Sequence, residues 1–128
     1  MLLDTSAIVE IFRSPAEAPH FKKITAEIGG EEVYISMVQL AEIAGWATRS
    51  KAPPEERVEV VKEMARIVPL DERICLDAAA IKQRRRKAGR DDFSLMDGVI
   101  LATARSIGQR VLTLDEDFVG EKDCVFIP

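Results

Sequence analysis

Met1-Leu2-Leu3-Asp4-Thr5-Ser6-Ala7-Ile8-Val9-Glu10-Ile11-Phe12 carries a strand, an acid and the start of a helix in one short stretch. Three apolar residues suffice for a short buried strand, and Thr5 or Ser6 can cap a helix running through Ile8, Val9, Ile11 and Phe12. A strand that passes at once into a helix, rather than turning back on itself, belongs to a parallel sheet. The passage recurs. Val33-Tyr34-Ile35 reads as a second strand, and Ser36-Met37-Val38-Gln39 has the spacing of a capping box for a helix reaching about Arg49. Pro15 to about Ile28, closed by Gly29-Gly30, and a stretch opened by Pro53-Pro54-Glu55-Glu56 read as further helices. Ile67-Val68-Pro69-Leu70 is a strand that Pro69 holds to an edge or an end. Asp71 to about Lys87 is helical, and Ser94-Leu95-Met96-Asp97 opens a helix to about Ile107. Arg110 to Leu114 and Cys124 to Ile127 are the last strands. The expected fold is α/β: one domain over residues 1–128, a central parallel sheet of about four or five short strands, and helices on both faces.

The 128 residues are 47% hydrophobic, enough for one core. A formal net charge of −4 argues against a polycation that coats nucleic acid. Cys75 and Cys124 sit among apolar neighbours and read as buried, inert thiols of a reducing cytoplasm. With one histidine, His20, and no Cys-x-x-Cys, a zinc site lacks ligands. No apolar run is long enough to span a membrane, and no basic signal-peptide stretch opens the chain, so a cytoplasmic protein is expected. Met37, Met64 and Met96 read as core.

Four acids stand out. Asp4 and Asp115 follow apolar strands, where ligands of parallel sheets collect. Glu42 is flanked by Leu40, Ala41, Ile43, Ala44, Trp46 and Ala47, which leave little solvated face, and Asp97 precedes Val99-Ile100-Leu101-Ala102. Asp4 serves equally well as a helix cap, Asp97 as the acid of a capping box, and Asp115 and Asp117 as turn residues. Together they mean more. Acids gathered on apolar elements cannot all ionise without a cation, and oxygen-only ligands suit Mg²⁺ or Mn²⁺, whose work in such sites is phosphoryl chemistry. Thr113 adds a hydroxyl beside Asp115. The cationic run Lys82, Arg84, Arg85, Arg86 and Lys87 favours a helix C-terminus, and its place before the Asp97 helix makes Arg84, Arg85, Arg86 and Lys87 candidate phosphate contacts. Aromatics are few, with only Phe93 near that run, so base stacking is not indicated.

Met1-Leu2-Leu3-Asp4-Thr5-Ser6, the isolated Glu42, Ser94-Leu95-Met96-Asp97-Gly98-Val99-Ile100-Leu101-Ala102-Thr103-Ala104 and Leu112-Thr113-Leu114-Asp115-Glu116-Asp117-Phe118 occur in that order. Together they resemble the PIN-domain family, in particular its VapC-like toxin ribonucleases, across the whole chain. The resemblance implies a Mg²⁺- or Mn²⁺-dependent endoribonuclease, the homodimeric toxin of a toxin–antitoxin pair restrained by a small antitoxin. It implies Asp4, Glu42, Asp97 and Asp115 as the catalytic acids, with Thr5, Ser6 and Thr113 as supporting hydroxyls and Asp117 as an accessory. Asp4 and Asp97 are the expected direct metal ligands, with Glu42 and Asp115 as ligands or groups that orient water. Gly98 stands where family members more often have alanine, which permits close backbone approach.

Two other classes compete. Haloacid-dehalogenase-like phosphatases also place an aspartate after the first strand, but need a second one two residues on, where this chain has Ser6. A nuclease-like module that binds RNA or protein without turnover would look the same in sequence. The apolar character of Ile8 to Phe12 and Met37 to Trp46 exceeds what one small core needs, which points to a dimer or antitoxin surface.

Overall fold

Pairs of helices separate the first four strands through residues 1–128 of the computed structural model: β1 (Leu2–Leu3), α1 (Thr5–Arg13), α2 (Pro19–Ile28), β2 (Tyr34–Ser36), α3 (Gln39–Arg49), α4 (Pro54–Met64), β3 (Arg66–Val68), α5 (Glu72–Lys87), α6 (Leu95–Ser106), β4 (Val111–Thr113) and β5 (Cys124–Phe126). The five strands form one sheet in the order β3-β2-β1-β4-β5, and every pair is parallel. The chain builds outward from β1 to β3, then returns to lay β4 on the other side of β1. Strand order therefore reverses between β1 and β4, and the crevice beyond their carboxyl ends is where parallel sheets bind ligands.

The two faces of the sheet fill separately, as the period of two along a strand demands. Leu2 and Val111 point into a core with Ile74 and Ala78 of α5 and Ile100, Leu101 and Ala104 of α6. Their neighbours Leu3 and Leu112 point the other way, against Ala7 and Ile8 of α1, Ile24 of α2, Ile43 of α3 and Val61 of α4. Each fully buried Leu or Ile contributes about 1.5–3 kcal/mol. In α6 every residue from Gly98 to Ala104 is buried, so the helix runs through the interior.

Several local expectations are corrected. The second helix starts at Pro19, not Pro15, because Ala18 precedes a proline and is driven to an extended conformation (φ −62°, ψ 140°). Neither Thr5 nor Ser6 caps α1; Asp4 occupies that position with no capping bond from its side chain. Ser36 does not open α3 but ends β2. The reciprocal pattern survives there only as a turn, in which the Ser36 amide donates to Gln39 Oε1 (2.8 Å). Pro69 does follow an edge strand, β3. Cys75 and Met37 are exposed rather than buried, since the outer face of α5 and the β2–α3 turn carry no covering element. Cys124 is free and half-buried, and burial pushes its thiol up to about 12. No helix is long and apolar enough to cross a membrane.

Candidate active site

Asp4 directly follows β1, and the residue is almost wholly buried, at 4% exposure. Ser6 Oγ (2.6 Å) and Thr113 Oγ1 (2.8 Å) both donate to its Oδ2. Thr113 is the last residue of β4, so this bond joins the carboxyl ends of the two strands at the reversal point. The Thr113 hydroxyl also accepts from the Asp115 amide (2.9 Å), and Ser6 Oγ accepts from the Leu114 amide (3.0 Å). Asp115 Oδ1 takes the Asp117 amide (2.9 Å) and so caps the single 3-10 turn Glu116–Phe118.

Glu42 reaches the same crevice from the first turn of α3. Its Oε1 accepts from Thr5 Oγ1 at 2.7 Å. Asp97 arrives from α6, where the capping box is formed in both directions: the Ser94 amide to Asp97 Oδ2 (2.8 Å) and the Asp97 amide to Ser94 Oγ (3.0 Å). The cap fixes the carboxylate at the mouth of a buried helix, so its local and site roles coexist.

The electrostatics join these groups into one set. Burial raises the pKa of Asp4, and the nearby charge of Asp115 raises it further, against the hydroxyl bonds from Ser6 and Thr113. Burial raises Glu42 too, followed by repulsion from Asp97 and opposed by Thr5. Asp97 is pushed up to about 6, by burial first and then by Asp4 and Asp115, against its bonds to Ser94. Asp117 is raised by partial burial and by Asp115 and Asp92, against the opposing charges of Arg90 and Arg85. No cation of the chain offsets Asp4, Glu42 or Asp97. One carboxylate oxygen from each of Asp97, Asp115 and Asp117 lies within 4.8 Å of the other two. A hard divalent cation matches this all-oxygen donor set. Of the two expected direct ligands, Asp97 belongs to this triad and Asp4 does not; Asp117, expected only as an accessory, does.

A sign check gives a pH dependence for the metal-free protein. A carboxylate whose folded pKa is raised adds stability below its unfolded value and loses it as pH rises through the folded one. For Asp97 that window runs from about 4 to about 6. Solvent screening of this part-exposed group limits its share to about 1–2 kcal/mol. In EDTA, Asp97→Asn is therefore expected to melt with wild type near pH 4 and above it near pH 7. A melting difference that stays constant across that range would remove the strained-acid account.

The expected arginine contacts divide. Arg85 is buried and donates Nη2 to the carbonyls of Asp117 and, at 2.9 Å, Val119, while its guanidinium lies over the Phe93 ring. It ties the acid-bearing loop to α5 and has no face for RNA. Arg84 pairs with Glu121 (2.7 Å), and Arg86 Nε donates to the Phe93 carbonyl (3.0 Å). Lys87 is exposed.

One site residue escaped the sequence. Gln39 is fully buried; its Oε1 accepts from the Ser36 amide, and its Nε2 donates to the Leu3 carbonyl (2.7 Å) and to Thr5 Oγ1 (3.3 Å). A backbone donor on one side and a backbone acceptor on the other fix the orientation of this amide. Thr5 must then accept from Gln39 and turn its own proton to Glu42. The capping-box spacing drew attention to Gln39, but nothing local showed that its amide crosses to β1.

The PIN domain family model matches residues 1–120. Among solved structures, a toxin–antitoxin complex from Klebsiella pneumoniae is similar at TM-score 0.74 and 20% identity, over 97% of this chain and 94% of that one. VapBC-1 from nontypeable Haemophilus influenzae is similar at TM-score 0.72 and 22% identity, over 98% and 96%. FitAcB from Neisseria gonorrhoeae matches at TM-score 0.68 and 26% identity, over 99% and 96%. No curated protein sequence matches the chain.

Proposed function

The chain belongs to the PIN-domain family, and from that premise we propose that it is a metal-dependent endoribonuclease, the toxin of a toxin–antitoxin pair acting in the cytoplasm. The observation that carries the reading is the convergence of Asp97, Asp115 and Asp117 within 4.8 Å of one another, beside Asp4 and Glu42, at the reversal point of the sheet, with burial and neighbouring acids raising Asp4, Glu42 and Asp97. Such an arrangement costs stability and is retained where a cation and a phosphate occupy it in use.

Asp97, Asp115 and Asp117 would hold the ion, with Asp4 adding its charge to the set. Mg²⁺ or Mn²⁺, when bound, supplies positive charge that stabilises the phosphorane-like transition state and makes water easier to deprotonate. Glu42 is the proton acceptor: Thr5 occupies one of its oxygens, and its raised pKa strengthens it as a base. Water attacks phosphorus in line, its proton passes to Glu42, the bond to the leaving ribose oxygen breaks, and that oxygen takes a proton from solvent. Ser6 and Thr113 hold Asp4 at the base of the site. Ser6 also weakens the phosphatase reading, because a hydroxyl bonded to Asp4 stands where that chemistry needs a second acid.

The toxin–antitoxin neighbour supports a small antitoxin as partner. A homodimer is supported by an exposed apolar face. Leu70, Leu95 and Met37 are about half exposed, and Leu70 and Leu95 line an apolar cleft with Val38, Cys75, Met96 and Val99.

The test is cleavage of a mixed, structured RNA pool by purified protein with Mn²⁺ or Mg²⁺, beside an EDTA control. Cutting that needs the metal is expected. Folded, partner-free protein that cuts nothing with either ion would leave only binding without turnover. The same preparation sedimenting as a monomer at micromolar concentration would remove the dimer.

A further inference from the structure

Next to the acids, a cleft of about 350 Å³ opens between α1 and α3. Its volume is within the range of about 300–1,000 Å³ typical of small-ligand sites. Thr5 and Val9 line it from α1, and Glu42, Gly45, Trp46 and Arg49 line it from α3. The spacing of those four (three, four and seven residues after Glu42) puts them on one stripe of the helix. The stripe starts at a site acid and ends at a cation about 10 Å away along the axis.

Arg49 and Trp46 are set up for a ligand the chain does not supply. Arg49 is exposed and takes part in none of the ion pairs of the structure. Gly45 sits inside a helix, where glycine costs about 0.5–1 kcal/mol relative to alanine. A Cβ there would lie 3.4 Å from Arg49 Nη1, in van der Waals contact, which places the guanidinium back along the stripe beside Gly45. Trp46, the only tryptophan, stacks on Phe12 (centroids 5.7 Å apart, planes 26° apart), and Phe12 is itself covered by the Arg57 guanidinium at 5.1 Å. The indole is thus braced in place before any ligand arrives.

We propose that this cleft is a nucleotide subsite for the RNA strand being cut, where Trp46 stacks on a base and Arg49 pairs with the phosphate next to the scissile one. The proposal rests on the ribonuclease reading and deepens it. A flat aromatic followed by a cation along a groove is the pattern that holds single-stranded nucleic acid without reading its sequence. The acids alone would repel such a strand, and Arg49 is the cleft's own attraction for it. Stacking on Trp46 reverses the expectation of no base stacking, which considered only Phe93 beside the cationic run on α5; the stacking ring lies on α3 instead.

Tryptophan fluorescence tests the proposal directly, because Trp46 is the only emitter of its kind. Short single-stranded RNA titrated into Asp97→Asn protein with Mg²⁺ is expected to quench the emission to saturation. In that background Arg49→Gln should weaken binding about tenfold and reduce the salt slope of log K by about 0.7, the share of one single-strand phosphate. In otherwise wild-type protein, Arg49→Gln should raise KM about tenfold with kcat within about twofold, the signature of a group that binds ground and transition states alike. Arg49→Lys should recover part of the loss. If wild type cuts RNA but Trp46 does not respond and Arg49→Gln cuts with unchanged KM, the subsite is overturned and the cleft is left to a protein segment. If wild type neither cuts RNA nor is quenched by it, the ribonuclease reading fails and the subsite with it.

Discussion

Asp97→Asn is expected to lower RNA cleavage by roughly a thousandfold or more, while the protein stays folded. Asp97 is the residue through which the site acids meet: it repels Glu42, is repelled by Asp4 and Asp115, and is one of the three that converge within 4.8 Å. The amide has the same shape and no charge, so it should hold a divalent cation poorly. Its remaining oxygen still accepts from the Ser94 amide, which keeps the capping box of α6. A separate variant distinguishes cap from charge. Ser94→Ala removes the cap hydroxyl, should cost about 1 kcal/mol of stability, and should leave most of the cleavage intact. Cleavage rates at saturating Mn²⁺, Mn²⁺ titration calorimetry and thermal melts of both variants check the pair. Asp97→Asn protein that cuts at the wild-type rate would end the assignment.

Gly98→Ala is expected to destabilise by about 3 kcal/mol or more, against the direction that helix propensity predicts. In a solvated helix the change would stabilise by up to about 1 kcal/mol. Here a Cβ on Gly98 would lie 2.5 Å from the carbonyl oxygen of Ala78, and 3.2 and 3.3 Å from its C and Cα. All three are backbone atoms in the middle of α5, so no side chain can rotate away. The helices must separate, and Asp97, the preceding residue, moves with α6. A displacement near 1 Å at a catalytic group costs about a hundredfold in rate. The melting temperature should fall by about 10 °C or more, and the surviving folded protein should cut poorly. Ala78→Gly should not rescue it, because the clash is with the peptide oxygen. A melting temperature within a couple of degrees of wild type would show that α5 yields more readily than its burial implies.

Gly98 also shows where sequence reading stops. Close backbone approach was readable from a glycine in an apolar helix, but the partner was not. The partner proved to be Ala78, twenty positions earlier on another helix. The same holds for hydroxyls. Thr113 beside Asp115 was visible, yet its bond to Asp4 joins residues 109 positions apart. Gln39 and Arg85 were misread for one reason: a capping-box spacing and a basic helix end both describe neighbours along the chain. The amide of Gln39 instead crosses to β1, and the guanidinium of Arg85 crosses to the loop after β4. Trp46 was read only as an apolar neighbour of Glu42 and part of a dimer or antitoxin surface, because its relation to Arg49 and Glu42 is a matter of helical phase next to α1.

The sequence by itself determined the alternation of strand and helix, the parallel sheet it implies, and the acids Asp4, Glu42, Asp97 and Asp115 as the residues to watch. Those are local properties: side-chain periods of two and 3.6 and the chemistry of caps act between residues a few positions apart. Only the tertiary structure decided that Asp117 converges with Asp97 and Asp115, that Asp4 is held by the hydroxyls of Ser6 and Thr113, and that Arg85 secures the loop. Those outcomes depend on the order β3-β2-β1-β4-β5. Laying β4 beside β1 brings opposite ends of the chain within hydrogen-bond distance, which no local pattern specifies.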